Sequence, residues 1–395
     1  MRQLAYVGED GQIRIADLDA GGEIEITRAR AESEADHPVV CNWPTWSPDG
    51  QHLAFFQFEL AGEEVQRTSV SVASLADSSQ SELYRLPAGA PIYMCWSPDG
   101  QRVAVLVQES RELYLRVVDQ REPQRAITVA EGAPLYFAWQ PDSRGLVVNT
   151  GGTGLGTARA RLIWVRIEGG QATYTTLTGT PAPDFRAPAW STKLGAATVA
   201  FAEGDGASIV VQGGPDSERQ LLAVAGSGPA FIWSRDGQRL AFASRFADHG
   251  GGYGPISVYQ ADGGAVSEVT EGPTLAFFWC PDGRSLVYGG GEIGGRMINL
   301  RLVDVVSGER SNLGWVRPSR DVMLLLGHFD QYSQSAQIFS PAGSEMALAA
   351  SIAQEQVNGS VPTVRQIIVR ALATDGVQEV AARGRLAFWR PDPTG

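Results

Sequence analysis

The chain has 395 residues, with 32 Lys and Arg against 44 Asp and Glu, giving a formal net charge of -12. That surplus of negative charge excludes a nucleic-acid partner, because neutralising phosphates takes a surface rich in Lys and Arg. No apolar stretch reaches the length that inserts into a membrane. The N-terminus reads at once as strand rather than as a charged head and an apolar segment, and with three cysteines this predicts a cytoplasmic protein without disulfides.

Taken in chain order, residues 1–27 hold three short alternating runs: Leu4-Ala-Tyr-Val, Ile13-Arg-Ile-Ala-Asp and Glu23-Ile-Glu-Ile. A polar segment over residues 28–44 follows. Then comes Trp46-Ser-Pro-Asp-Gly, a string that returns as Trp96-Ser-Pro-Asp-Gly, Trp139-Gln-Pro-Asp, Trp233-Ser-Arg-Asp-Gly and Trp279-Cys-Pro-Asp-Gly. Weaker copies stand at Trp190-Ser, Phe339-Ser-Pro-Ala-Gly and Trp389-Arg-Pro-Asp. The spacing between these anchors runs from 43 to 60 residues, the period of a four-stranded propeller blade.

Each anchor closes a first strand. Seven residues later an apolar second strand begins in most copies, as in Leu53-Ala-Phe-Phe, Val103-Ala-Val-Leu, Leu240-Ala-Phe and Met346-Ala-Leu. A third strand alternates with period two (Leu113-Tyr-Leu-Arg-Val, Ile256-Ser-Val-Tyr), and a more polar fourth strand leads to the next anchor. Helical periodicity is absent over any long window, so the expected fold is all-β. Residues 1–27 lack an anchor and residues 386–395 supply one without the strands, so together they make one blade. Pairing of the two termini would close the ring and hide its sheet edges. The count is eight blades in one domain over residues 1–395, or seven if the degenerate Trp190 or Phe339 copy is not a blade.

The anchors themselves are expected to be structural. Trp46, Trp96, Trp139, Trp190, Trp233, Trp279, Phe339 and Trp389 pack between neighbouring blades, and Pro-Asp-Gly makes the tight turn into the second strand. The anchor followed by an apolar strand resembles the repeat of TolB-type propellers, over essentially the whole chain. Similar repeats occur in the propeller domains of prolyl oligopeptidases and in oligogalacturonate lyases. The resemblance implies a propeller fold, and it leaves the function open between an interaction partner, a substrate-gating domain and a metal-dependent lyase. No Gly-x-Ser-x-Gly elbow of a hydrolase domain is present.

Function is expected where the repeats differ. The short turns share one face of an antiparallel blade, so the irregular connections share the other: residues 28–44, 150–160, 178–188, 245–255, 289–296, 314–336 and 351–363. The longest brings His328, Phe329, Asp330, Gln331 and Tyr332 just ahead of a first strand, where they would either hold a ligand in the pore or plug it. His249 and Tyr253 sit in a glycine-rich loop that could close over a bound group or remain a solvated tip. His37 and an exposed Trp43 flank Cys41, itself in a loop. These side chains match no ligand spacing of a known metal site.

Two glycine-rich strings lead nowhere as phosphate sites. Residues 289–294 fit G-x-G-x-x-G but precede a strand instead of a helix, and residues 151–156 lack the Gly-Lys-Ser/Thr ending. The reading that results is a non-catalytic binding module for a protein, peptide or saccharide, with no cofactor. Two alternatives stand beside it: a lyase or hydrolase with a metal ion at the pore mouth, and an accessory subunit of a larger transport or peptidase assembly.

Overall fold

The computed structural model describes residues 1–28, 38–151, 160–191, 197–225, 227–245, 252–290, 297–351, 365–373 and 378–392. The protein is a β-propeller built of antiparallel four-stranded meanders. In the Trp96 sheet, Ala90–Trp96, Arg102–Glu109, Glu112–Asp119 and Ala126–Glu131 pair in sequence order. Sheets of the same order carry Trp46, Trp139, Trp190 and Trp233. After Trp279, the strand Arg310–Pro318 runs on to meet Glu345–Ser351 through Arg317 with Ser351 and Pro318 with Ala350, so seven strands form one continuous sheet. Phe339 bridges Met346 at the inner end of that extension.

Burial explains the strand types. Second strands are packed on both faces: Val103, Ala104, Val105, Leu106 and Val107 are all buried, which is why the run is continuously apolar. Fourth strands are the outer rims, and Glu23–Glu25 is exposed throughout, so charge guards the open edge. Leu386–Trp389 runs antiparallel to Gln3–Val7, with Trp389 opposite Leu4. The Arg390 amide donates to the Gln3 carbonyl at 2.9 Å just beyond.

The repeated turn is held by its own side chains. Ser47 Oγ donates to Asp49 Oδ1, while the amides of Gln51 and His52 donate to Asp49 Oδ1 and Ser47 Oγ, at 2.5, 3.0 and 2.9 Å respectively. The same set recurs at Ser97 with Asp99 and at Ser234 with Asp236. Gly50 has φ of 65°, and a Cβ there would lie 2.9 Å from the Pro391 carbonyl oxygen of the neighbouring turn. Glycine is therefore required twice, for conformation and for closeness.

Between sheets, the anchor indoles bond backbone. Trp46, Trp96, Trp139 and Trp279 donate Nε1–H to the carbonyls of Phe388, Thr45, Cys95 and Ile232, at 3.2, 2.9, 3.2 and 2.9 Å. Each acceptor directly precedes the tryptophan of the neighbouring sheet. The buried Nε1 atoms of Trp190, Trp233 and Trp389 have no such partner among the described residues.

Two local expectations need correction. Cys41 lies in the strand Val39–Trp46 and is fully buried, because the first strand of that sheet begins earlier than its polar surroundings suggest. Inside the 314–336 connection, Arg320–Gly327 is a helix, α1, followed by the short helix α2 over Phe329–Tyr332. Ser319 starts α1, its side chain accepting from the Val322 amide at 3.1 Å, and Val322, Leu325 and Leu326 form the buried face.

Replacing tryptophan by phenylalanine separates ring packing from the indole bond. Trp96→Phe should destabilise by about 1 kcal/mol more than Trp233→Phe, because only Trp96 gives up a hydrogen bond. Equal losses in parallel thermal and denaturant unfolding would show that the inter-sheet bond contributes nothing.

Candidate functional site

The segment that carries the polar cluster leaves the sheet at Pro318 and descends between the first strands as α1 and α2. Phe329 is fully buried among Phe277, Phe278 and Tyr253, with ring centroids 4.6, 6.0 and 5.5 Å away. Gln331 acts as a strand would: its Oε1 accepts from the Phe137 amide and its Nε2 donates to the Phe137 carbonyl, both at 2.9 Å. Tyr93 donates its hydroxyl to the Gln331 carbonyl, and Tyr332 donates to the Ile92 carbonyl. Tyr332 also stacks on Trp43 at 4.9 Å and meets the Tyr93 ring edge-on at 4.8 Å. Trp43, expected to be exposed, is half-buried in this stack.

Asp330 is paired with Arg186 at 3.0 Å, with side-chain exposures of 1% and 8%. Arg186 Nη1 donates to the Gly327 carbonyl at 2.6 Å and Nη2 donates to the Tyr253 hydroxyl. Burial pulls the Arg186 guanidinium down, and the charge of Asp330 together with the Tyr253 and Tyr136 hydroxyls outweighs it, so Arg186 is held above its ordinary value. Burial, reinforced by the Asp330 charge, pushes the Tyr253 phenol up to about 12. Burial and then the Arg186 charge lower the pKa of His328, favouring the neutral imidazole.

Five of the nine expected ligand-binding residues, His328 to Tyr332, thus form a plug in which Gln331 and Tyr332 bond neighbouring strands, Asp330 pairs with Arg186 and the His328 ring lies against the Leu324 carbonyl of α1. Trp43 and Tyr253 pack against it. Tyr253 is no solvated tip: it is 3% exposed and bridges Arg245 and Thr274. His37 and His249 lie outside the described residues. Arg186 was not among the expected residues; it belongs to the 178–188 connection and meets a partner 144 positions away, which no local pattern announces.

Beneath the plug, on the face of the regular turns, lies a cavity of about 540 Å³. Its walls come from first strands and turns around the ring, including Trp46, Trp96, Trp139, Trp190, Trp233 and Trp279. Its floor is Asp330 and the segment 333–337 that follows α2. Ser333, Gln334 and Ser335 are half-buried there and Gln337 is exposed, so the floor is polar and the walls apolar. Cys95 and Cys280 also line it, and burial pushes the Cys95 thiol up to about 12, which keeps it protonated at neutral pH. Among the described residues no three His, Cys, Asp or Glu side chains are gathered so as to hold a metal ion. No helix of the described residues is long and apolar enough to cross a membrane.

Comparison with known proteins supports the TolB-type resemblance. Over 96 residues the sequence is 32% identical to the Tol-Pal system protein TolB of Alcanivorax borkumensis, a match covering 24% of this chain and 19% of that protein. The dihydro-heme d1 dehydrogenase NirN superposes on 100% of the chain, using 76% of its own, with a TM-score of 0.60 at 16% identity. A prolyl endopeptidase structure superposes on 91% of the chain, using 51% of its own, with a TM-score of 0.53 at 14% identity. At these identities the structural matches establish the β-propeller fold alone. No protein-family profile matches the sequence.

The plug can be tested through its charges. Asp330→Leu, which strands the buried Arg186, should cost about 3–5 kcal/mol, and adding Arg186→Leu should recover much of that loss. Since the folded-state pKa of His328 lies below its unfolded value, its contribution is lost as pH falls through about 6.5, where the unfolded protein takes up a proton first. Melting temperature should therefore decline from pH 7.5 to 5.5 less steeply in His328→Gln than in the parent.

Proposed function

We propose that the protein is a binding module that takes an extended peptide segment of a partner protein into the axial cavity on the turn face. The observation that carries this is the cavity itself. At about 540 Å³ it falls within the range of small-ligand pockets, and its polar floor and apolar walls suit a backbone flanked by apolar side chains. A saccharide fits less well, because four of the six tryptophans lining the cavity, Trp46, Trp96, Trp139 and Trp279, are buried and only Trp190 and Trp233 are half-buried. His328 to Tyr332 serve this site from behind, by fixing the floor. The loop-rich face, with its mouth filled by α1 and α2, remains the surface for a larger partner.

We further propose that the ring is a single closed domain of eight blades, one of them shared between residues 1–27 and 386–395. The pairing of Leu386–Trp389 with Gln3–Val7 supports this. A cytoplasmic setting accords with three free, buried cysteines.

Two experiments test the reading. Gln337→Trp, at an exposed floor position, should fill the cavity, abolish peptide binding in a fluorescence titration and leave melting within a degree or two; unchanged binding would move the site elsewhere. Deleting residues 1–27 should uncover a strand edge and produce aggregation or melting several degrees lower. A variant as soluble and as stable as the parent would refute closure by the termini.

A further inference from the structure

Six turns carry a proline two residues after the anchor position: Pro48, Pro98, Pro141, Pro281, Pro341 and Pro391. Five of these, all but Pro141, line the mouth of the axial cavity. At the Trp233 turn the proline is replaced by Arg235, which also lines the cavity and is exposed. The turn does not need the arginine. Its Ser234–Asp236 hydrogen bonds, at 2.5 to 3.0 Å, match those of the proline-bearing turns at Ser47 and Ser97.

Two carboxylates also line the cavity. Asp330 is committed to Arg186 through the buried ion pair, and Asp392 has its own partner. Arg239, the other cation of the Trp233 turn, faces Asp236 at 3.8 Å and donates to the Gly283 carbonyl at 2.9 Å. Arg235 has no ion pair among the described residues. In a protein of net charge -12, the cavity rim thus carries a cation that pairs with no carboxylate among the described residues.

Resting on the peptide-binding reading above, we propose that Arg235 is a specificity determinant that recognises a carboxylate on the bound segment at the mouth of this cavity. A planar guanidinium offers paired N–H donors that match a carboxylate, and at the rim it does so without losing its hydration beforehand. The apolar walls accept the adjoining side chains, and the neutral floor leaves the charge preference to the rim. The carboxylate comes from the C-terminus of the bound peptide or from an Asp or Glu side chain within it.

The test uses the full-length protein and three probes: acetyl-Ala-Pro-Phe with a free C-terminal carboxylate, the same peptide as its amide, and acetyl-Ala-Pro-Glu-Phe amide. Affinities are read from intrinsic tryptophan fluorescence, to which Trp190 and Trp233 at the cavity wall report. At least one carboxylate peptide should bind about tenfold more tightly than the neutral amide, with a preference that weakens in high salt. Which of the two it is identifies the source of the carboxylate. Arg235→Pro, which restores the residue found in the other turns, should bring all three within twofold while preserving the melting temperature. Equal binding of all three to the parent overturns the role of Arg235 and leaves the cavity as a peptide site. Absence of binding by any of them at millimolar concentration overturns the peptide-cavity reading and this inference with it.

Discussion

One contact recurs at four joints between neighbouring sheets: an anchor indole packed between them, with its N–H on a carbonyl of the preceding sheet's first strand. A four-stranded meander with two apolar faces is unstable alone, because each face needs a partner. Neighbouring sheets supply those partners, and where the indole bond forms it fixes how high one sheet sits against the next. Ser-Pro-Asp-Gly then anchors the end of the same strand. Its glycine must be small because the preceding turn lies against it, as Gly50 does against Pro391, so turn and joint are one constraint seen from two sides.

The constraint is uneven around the ring. Both joints of the Trp190 sheet lack the indole bond, since neither Trp190 nor Trp233 finds an acceptor among the described residues. A buried donor left without a partner costs about 1–3 kcal/mol. Apolar packing compensates locally: Trp164 meets Trp190 edge-on at 5.2 Å and Phe185 stacks on Phe231 at 5.5 Å. Packing of that kind tolerates small displacements better than a directional bond. The Trp190 sheet is therefore held by shape, whereas the Trp46, Trp96 and Trp139 sheets are joined to one another by shape and direction together.

Much of this was legible because it is local. The anchor, the second strand and the turn repeat within about fifteen residues, and the turn's hydrogen bonds stay within five. The helix α1 was hidden for the opposite reason. Val322-Met-Leu-Leu-Leu reads as a buried strand by periodicity, and only Ser319 two residues earlier than Asp321 hints at a cap. Trp43 likewise looks like a loop residue until Tyr332, far along the sequence, stacks upon it. Arg186 meets Tyr253, Gly327 and Asp330, which lie 67, 141 and 144 positions away. Contacts of such separation leave no periodic trace in one sequence.

The polar cluster at residues 328–332 was ambiguous for a deeper reason. First strands present unpaired backbone N–H and C=O groups toward the axis, and a segment that fills the axis must satisfy them. Gln331 does so for Phe137, and Tyr332 for Ile92. A ligand site in the same place would ask for the same residue types, so composition cannot separate plug from site. Geometry can, because the plug closes one mouth and becomes the floor of the other. Asp330 stands at that boundary, lining the cavity while its charge is held by Arg186 on the far side. The floor is consequently polar yet neutral, and any preference of the cavity for charge must be written at its rim, where one arginine stands in a row of prolines.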